Sequence, residues 1–600
     1  MMENQLEISF RGDTDPTDRW NLTILYKDHA AWLKDIQLLD DLLTQAEAYH
    51  GFLNSSSVKL FEGLEYLTKT KKLLEKLSCY AFLNVSVDAG DDENQTLQSI
   101  VGQSESRTNA ALSFFEPELQ RIPRVRVNTF FEELPELEAY RIMLEKLFRM
   151  QPHTLSEKEE QLMALYGESR NTVGNTFSLL VNADMEFGKV KIGNGSKRLS
   201  RQNLSWFLIQ PDRDLRQRAY RQYYETFDNH KHTLAALYSG SVQGDVYASR
   251  IRKYPSARAS VLYKDDIPES VYSNIVNSVH TGLPLFHEFF RVKKEFLELD
   301  VMRPYDLEMP LIQSVHVDYS YENAVEIIIA ALEPFGRDYT DTLRQGLLKG
   351  WVDRYENRGK RAGAFTAACY SGEPYILLNY KPSVLRNLFT LAHESGHAMH
   401  SWYSAHSNPF QNYEYSILEA ETAANMHERL LYDYLLKQTD DKQYKAFLLE
   451  RLLNDITAKI FRQTMLAEFE HKIHAEVEIG NPVTTAGIRE IFRNLSTIYY
   501  GPDVTPDELS DLEGLTIPHF YQAYYVYTYA TGASAALTLS QGILLGDDNA
   551  VGSYMDFLRS GGSEYPVQSL RKAGADITAS EVFKSAVSEF SELLEQFKTL

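Results

Sequence analysis

The chain has 600 residues, 44% of them hydrophobic and 24% charged, enough to bury a substantial core and to hold two or more domains. Its 61 Lys and Arg against 83 Asp and Glu leave a formal charge of −22, which argues against a general binder of nucleic acid or of anionic membrane. Two cysteines, Cys79 and Cys369, without a neighbouring Cys of zinc-site spacing, argue against a disulfide framework. Residues 1–18 lack the basic and apolar pattern of a signal peptide, and no apolar run of about 18 residues occurs, so the chain reads as cytoplasmic with no membrane partner.

In chain order the pattern is helix after helix. Trp32, Ile36, Leu39 and Leu43 recur at helical spacing, and Asp88-Ala89-Gly90-Asp91-Asp92 reads as an acidic loop. Ile192-Gly193-Asn194-Gly195-Ser196 predicts a hairpin turn of the Asn-Gly kind. A division near residue 200 separates an N-terminal helical region, 1–200, from a catalytic region, 201–600. Val325, Ile328, Ile329 and Leu332 mark a further helix that stops at Pro334-Phe335-Gly336. Next, Arg358-Gly359-Lys360-Arg361-Ala362-Gly363-Ala364-Phe365 leads to Cys369-Tyr370-Ser371-Gly372. This stretch is either a glycine turn before a strand or a strand edge along which an extended peptide takes backbone hydrogen bonds. Tyr375-Ile376-Leu377-Leu378-Asn379-Tyr380 reads as a short strand, and Pro382 with Ser383 as N-cap starts a helix with no breaker over 384–391.

That helix carries His393-Glu394-Ser395-Gly396-His397-Ala398-Met399-His400. His393 and His397 fall one turn apart on one face, where two neutral imidazoles can bind a single zinc, and Glu394 beside them can act as general base toward water. Gly396 costs a helix roughly 1 kcal/mol against Ala, which suggests that space matters there. A third protein ligand is needed. Among Glu414, Glu419, Glu421 and Glu428, in or near a predicted helix over 415–436, Glu419 and Glu421 lie about 200° apart and cannot both face the metal. Glu421 is chosen, with Asn425 and Glu428 one and two turns on as supporting partners and the remaining acids as a solvated face. His400 shares the histidine stripe and stays an alternative ligand, although three His on one helix span about 10 Å of rise. His406 and His427 read as surface or hydrogen-bonding histidines.

The block from Leu391 to His400, with Glu421 24 residues after His397, resembles the thimet oligopeptidase family (peptidase family M3) and within it the oligoendopeptidase F group. Asn182-Ala183-Asp184 with Phe187-Gly188, the stretch 200–224 with Arg218-Ala219-Tyr220, His232-Thr233-Leu234-Ala235-Ala236-Leu237, Tyr305-Asp306-Leu307 and Ile517-Pro518-His519-Phe520-Tyr521 are similar to the same group. The resemblance implies a mainly α fold with a deep substrate channel and a small β-sheet near the active site. It also implies a Zn2+-dependent endopeptidase acting on oligopeptides. Residues 519–529 hold His519 and five tyrosines, which by composition form an aromatic helix in a core. The resemblance instead assigns His519, Tyr524 and Tyr527 to the site as stabilisers of the oxyanion, with Tyr521 competing for the role of Tyr524.

The resulting expectation is one zinc on His393, His397 and Glu421, with Glu394 as base. A dipeptidyl carboxypeptidase of the same family is the nearest alternative, and would need a cation for the substrate carboxylate that the sequence does not locate. A helical peptide-binding protein without turnover is the other, and the intact Glu394 argues against it.

Overall fold

The computed structural model describes residues 9–312 and 318–600. Among them the chain is mainly helical, with five short strands in two sheets. The helices include α1 (Ser57–Val87), α2 (Glu269–Phe296), α3 (Leu385–Ser407), α4 (Ile417–Lys437), α5 (Gln463–Glu478) and α6 (Tyr527–Leu544). No helix among the described residues is long and apolar enough to cross a membrane.

The chain forms two compact units, each drawn from three segments. The first comprises Met1–Pro152, His316–Leu435 and Leu539–Gly574, and the second His153–Val315, Leu436–Thr538 and Ala575–Leu600. This is a different division from a single cut near residue 200, because each unit buries helices that are distant in sequence.

In the first unit, the expected helix with Trp32 and Leu39 is His29–Leu43, and both side chains are fully buried. They share a core with Leu77 and Tyr80 of α1 and with Tyr375 and Leu377 of a three-stranded sheet. That sheet holds β3 (Val352–Asp353), β4 (Phe365–Ala367) and β5 (Tyr375–Leu377) in the order β3-β5-β4. β5 is parallel to β3 and antiparallel to β4, with Thr366 opposite Ile376. β5 is apolar throughout and wholly buried, as a central strand covered on both faces should be. The acidic loop is a helix link in which Asp91 accepts the Asn94 N–H and so caps the next helix. Cys79 and Cys369 are both buried free thiols.

In the second unit the expected hairpin is present, as β1 (Lys189–Ile192) and β2 (Gly195–Arg198). Its turn is Gly193-Asn194 instead of Asn194-Gly195, and Gly193 takes the positive φ of 53° that glycine tolerates best. Tyr272 of α2, Phe469 of α5 and Phe520 belong to the buried aromatic interior of this unit.

Candidate active site

α3 and α4 cross at a point set by Gly396. A Cβ added there would meet the Ala423 carbonyl oxygen and the Ala424 Cα at 2.6 Å, so only glycine lets the α4 backbone come this close. The space inferred from sequence is therefore the contact that delivers Glu421. One side-chain atom from each of His393, His397 and Glu421 falls within 4.8 Å of the others. The two rings stand 4.8 Å apart at 89°, as residues one turn apart on a helix permit. The start of α3 differs from expectation: Val384, not Ser383, is the N-cap, and no side chain caps it.

The surroundings suit a metal-binding donor set. Glu428 Oε1 lies 2.5 Å from His393 Nδ1, which fixes the ring and makes Nε2 the nitrogen suited to a metal. The His397 ring is held far below its ordinary pKa, first by burial and then by the neighbouring His393, so it is neutral and ready to donate a lone pair. Asn425 returns its side-chain amide to the Glu421 carbonyl at 2.7 Å, tightening the turn that carries the carboxylate. No group of three His, Cys, Asp or Glu side chains other than His393, His397 and Glu421 is so arranged among the described residues.

The other acids and histidines sort by contact. Glu419 is no part of a solvated face: it is 1% exposed, and its Oε2 accepts both the N–H and the hydroxyl of Ser416, closing a box at the start of α4. Glu414 is exposed. His400 is not brought into the group of three. It is sealed against the Tyr415 ring, 3.6 Å away and nearly parallel, and burial pulls its pKa down to about 3. His427 is buried and bonded to the Tyr339 hydroxyl, while His406 is exposed.

Glu394 is 6% exposed, and burial raises its pKa above the usual carboxyl range while the nearby His393 and a hydrogen bond from Thr366 pull it down. Thr366 Oγ1 lies 2.6 Å from Glu394 Oε2 and 3.0 Å from the Glu394 main-chain oxygen. The small sheet expected near the site is thus in contact with Glu394 itself. Thr366 lay between the two stretches singled out in the sequence and went unnoticed. Strand alternation was the available signal, since Phe365 and Ala367 pack into the core and so turn Thr366 the other way. β4 is an edge strand, and Ile376 directs its N–H to Trp351 on the β3 side. In an antiparallel pair the residue opposite, Thr366, then directs its own N–H and C=O away from β5, toward the open edge.

The tyrosine segment of the second unit departs from the expected single helix. Pro518–Tyr521 is a 3-10 turn, 522–526 is irregular, and α6 begins only at Tyr527. Tyr524 sits at φ 51°, in the left-handed region that a tyrosine seldom occupies. Its N–H donates to Glu470 Oε1 at 2.6 Å, and its hydroxyl lies 3.2 Å from His471 Nδ1. Tyr524 and Tyr527 are 1% and 3% exposed and both pack on Tyr272, which places them in the core. Tyr521 stacks on Phe177 at 4.4 Å. His519 is exposed instead, lies parallel to the Tyr525 ring at 5.6 Å, and meets the Tyr529 ring edge-on at 5.8 Å. The structure therefore groups His519 with Tyr525 and Tyr529, two tyrosines of the segment to which the resemblance assigns no role.

Residues 207–589 match the family model for Peptidase family M3, and residues 118–187 match that for Oligopeptidase F. The chain belongs to Peptidase family M3. Over 591 residues it is 38% identical to oligopeptidase PepF of Bacillus subtilis, covering 98% of this chain and 88% of that one. It is 36% identical to an oligoendopeptidase F homolog of Borreliella burgdorferi, covering 98% and 99%. The solved oligoendopeptidase-F of Enterococcus faecium superposes with a TM-score of 0.76 at 30% identity, over 94% of this chain and 98% of that one. The protein is a peptidase of this family with the mainly helical fold of its solved relatives.

Proposed function

We propose that this M3 peptidase is a zinc-dependent oligoendopeptidase that hydrolyses internal bonds of short, unstructured peptides. The observation that carries the reading is the meeting of His393, His397 and Glu421 within 4.8 Å, with the Glu394 carboxyl on the next residue. Two imidazoles and one carboxylate, one imidazole steered by Glu428, are the donor set of a catalytic zinc with an open position. A zinc ion held there supplies Lewis acidity, bringing a water toward a pKa of about 7 and polarising the scissile carbonyl. Glu394 takes the water proton and passes it to the leaving amine, and its buried, raised-pKa carboxyl is suited to holding a proton between the two transfers. The outward main chain of Thr366 offers an extended peptide the partners of an added strand beside that base. His519 is the proposed donor to the oxyanion, carried by the family resemblance; Tyr524 and Tyr527, buried, are weaker candidates for that role than Tyr525 and Tyr529.

An internally quenched peptide tests this. Cleavage should vanish with a chelator and return with stoichiometric zinc. Mass spectrometry of a graded peptide series should show internal cuts, while a stable folded protein survives, since exposing an extended segment costs roughly 5–15 kcal/mol. Stepwise loss of C-terminal dipeptides would select the dipeptidyl carboxypeptidase reading instead. Zinc-independent turnover would overturn the metal assignment.

A further inference from the structure

We infer that Thr366 is a positioning residue for the general base, linking the strand edge where an extended peptide docks to the carboxyl that activates water. The inference rests on the proposed roles of Glu394 and β4 and adds a residue that those roles do not require. Thr366 reaches the site twice. Its main chain faces the open edge of β4, and its hydroxyl lies 2.6 Å from Glu394 Oε2.

The placement of that hydroxyl is over-determined. Threonine is branched at Cβ, so its χ1 is stiff, and the hydroxyl direction is set by the strand backbone. The strand is in turn pinned from its other face, where Phe365 packs at 6.5 Å from the Trp20 ring and 5.2 Å from the Phe82 ring. A valine would have the same shape and the same strand preference, yet would leave a 6%-exposed carboxyl without its hydroxyl partner. The Glu394 main-chain oxygen, 3.0 Å from the same hydroxyl, gives it a second acceptor. When Glu394 holds the water proton, that O–H can donate back to Thr366 Oγ1 while the threonine O–H turns to the main-chain oxygen. No bond is then lost in either state of the base. The strand edge and the base therefore meet at one residue.

The test is steady-state kinetics on the zinc-loaded full chain, comparing Thr366→Val, Thr366→Ala and Thr366→Ser with wild type on one quenched peptide. Loss of a hydrogen bond to a charged group predicts that Val and Ala each lower kcat about 10- to 100-fold, with KM and zinc content near wild type. Ser, which keeps the hydroxyl but not the stiff rotamer, should recover most of that loss. In a Glu394→Gln background, Thr366→Val should lower the residual rate no further, because the residue acts only through the base. Wild-type kcat in Thr366→Val overturns the inference. So does a Ser variant as slow as Val, an effect confined to KM, loss of zinc, or full additivity with Glu394→Gln. A Glu394→Gln enzyme of near wild-type rate is a separate outcome that removes the proposed function itself.

Discussion

The α3–α4 crossing and the tyrosine segment are built on opposite principles. At the crossing two regular helices carry the candidate metal ligands, so the period of 3.6 residues and one glycine fix which side chains meet: His393 and His397 a turn apart, and Glu421 brought in where Ala423 touches Gly396. The tyrosine segment is instead built around an interruption. Tyr524 at φ 51° breaks the run between Tyr521 and α6. Regular elements make function legible from spacing alone; breaks conceal it, because their geometry is imposed by partners such as Glu470 that lie far off in sequence.

The sharpest way to break the comparison is at the crossing. Glu394→Gln should retain zinc and fold yet lower kcat by about 100- to 10,000-fold, the range spanned by general acid–base catalysis. Metal analysis alongside single-turnover rates checks both halves. A variant that loses its zinc would make Glu394 a ligand, and one that turns over normally would dismiss it as the base.

Next in size is the distinction between ligand and support. Removing the support of a ligand typically weakens a site about 10- to 100-fold, so Glu428→Ala should fall in that range and Glu421→Ala beyond it, while Glu419→Ala leaves zinc affinity nearly intact. Competition with a graded set of chelators orders the three. Equal affinities for Glu421→Ala and Glu419→Ala would unseat the third ligand. Gly396→Ala belongs to the same logic, since its Cβ would strike the α4 backbone, and overpacking of this kind costs about 1–3 kcal/mol.

These outcomes also bear on what was readable from the chain. The helical class, the helix of Trp32 and Leu39, the strand at Tyr375 and the space around Gly396 follow from local pattern, and each is present in the structure. Three features escaped. Thr366 needs a sheet register before its hydroxyl has a direction, and register is a pairing between segments. The three-segment make-up of each unit needs long-range packing. The hairpin was recognised, yet its turn shifted by one residue because Gly193 serves the positive-φ position before Asn194 can.

The tyrosine segment yields a smaller contrast. His519→Ala and Tyr525→Phe should each lower kcat at least about 10-fold if the exposed His519 and the half-buried Tyr525 and Tyr529 serve the oxyanion, whereas Tyr524→Phe and Tyr527→Phe should shift the melting midpoint more than the rate. The reverse pattern would return the role to the buried pair.

The smallest effect concerns the partner that enforces the break. Glu470 is fully buried, with Oε2 unpaired, and burial pushes its pKa up to about 8 although His474 pulls it down and Tyr524 donates its N–H to Oε1. The groups around it also include Asp245, which lies 3.3 Å from His474 Nε2 and is paired with Arg170. A carboxyl whose folded pKa exceeds its unfolded value of about 4.3 binds its proton more tightly in the fold, so its contribution is complete below that value and is lost as pH rises toward the folded pKa. Wild type should therefore lose stability relative to Glu470→Gln between about pH 5 and pH 8, and the two should run parallel above that window. Urea midpoints at three pH values across the window measure this directly. If the difference between the two proteins stays constant, Glu470 is ionised throughout and the tyrosine break is held by a charged acceptor; if it grows with pH, a neutral acid holds it, and loosening of residues 522–526 should accompany the rise.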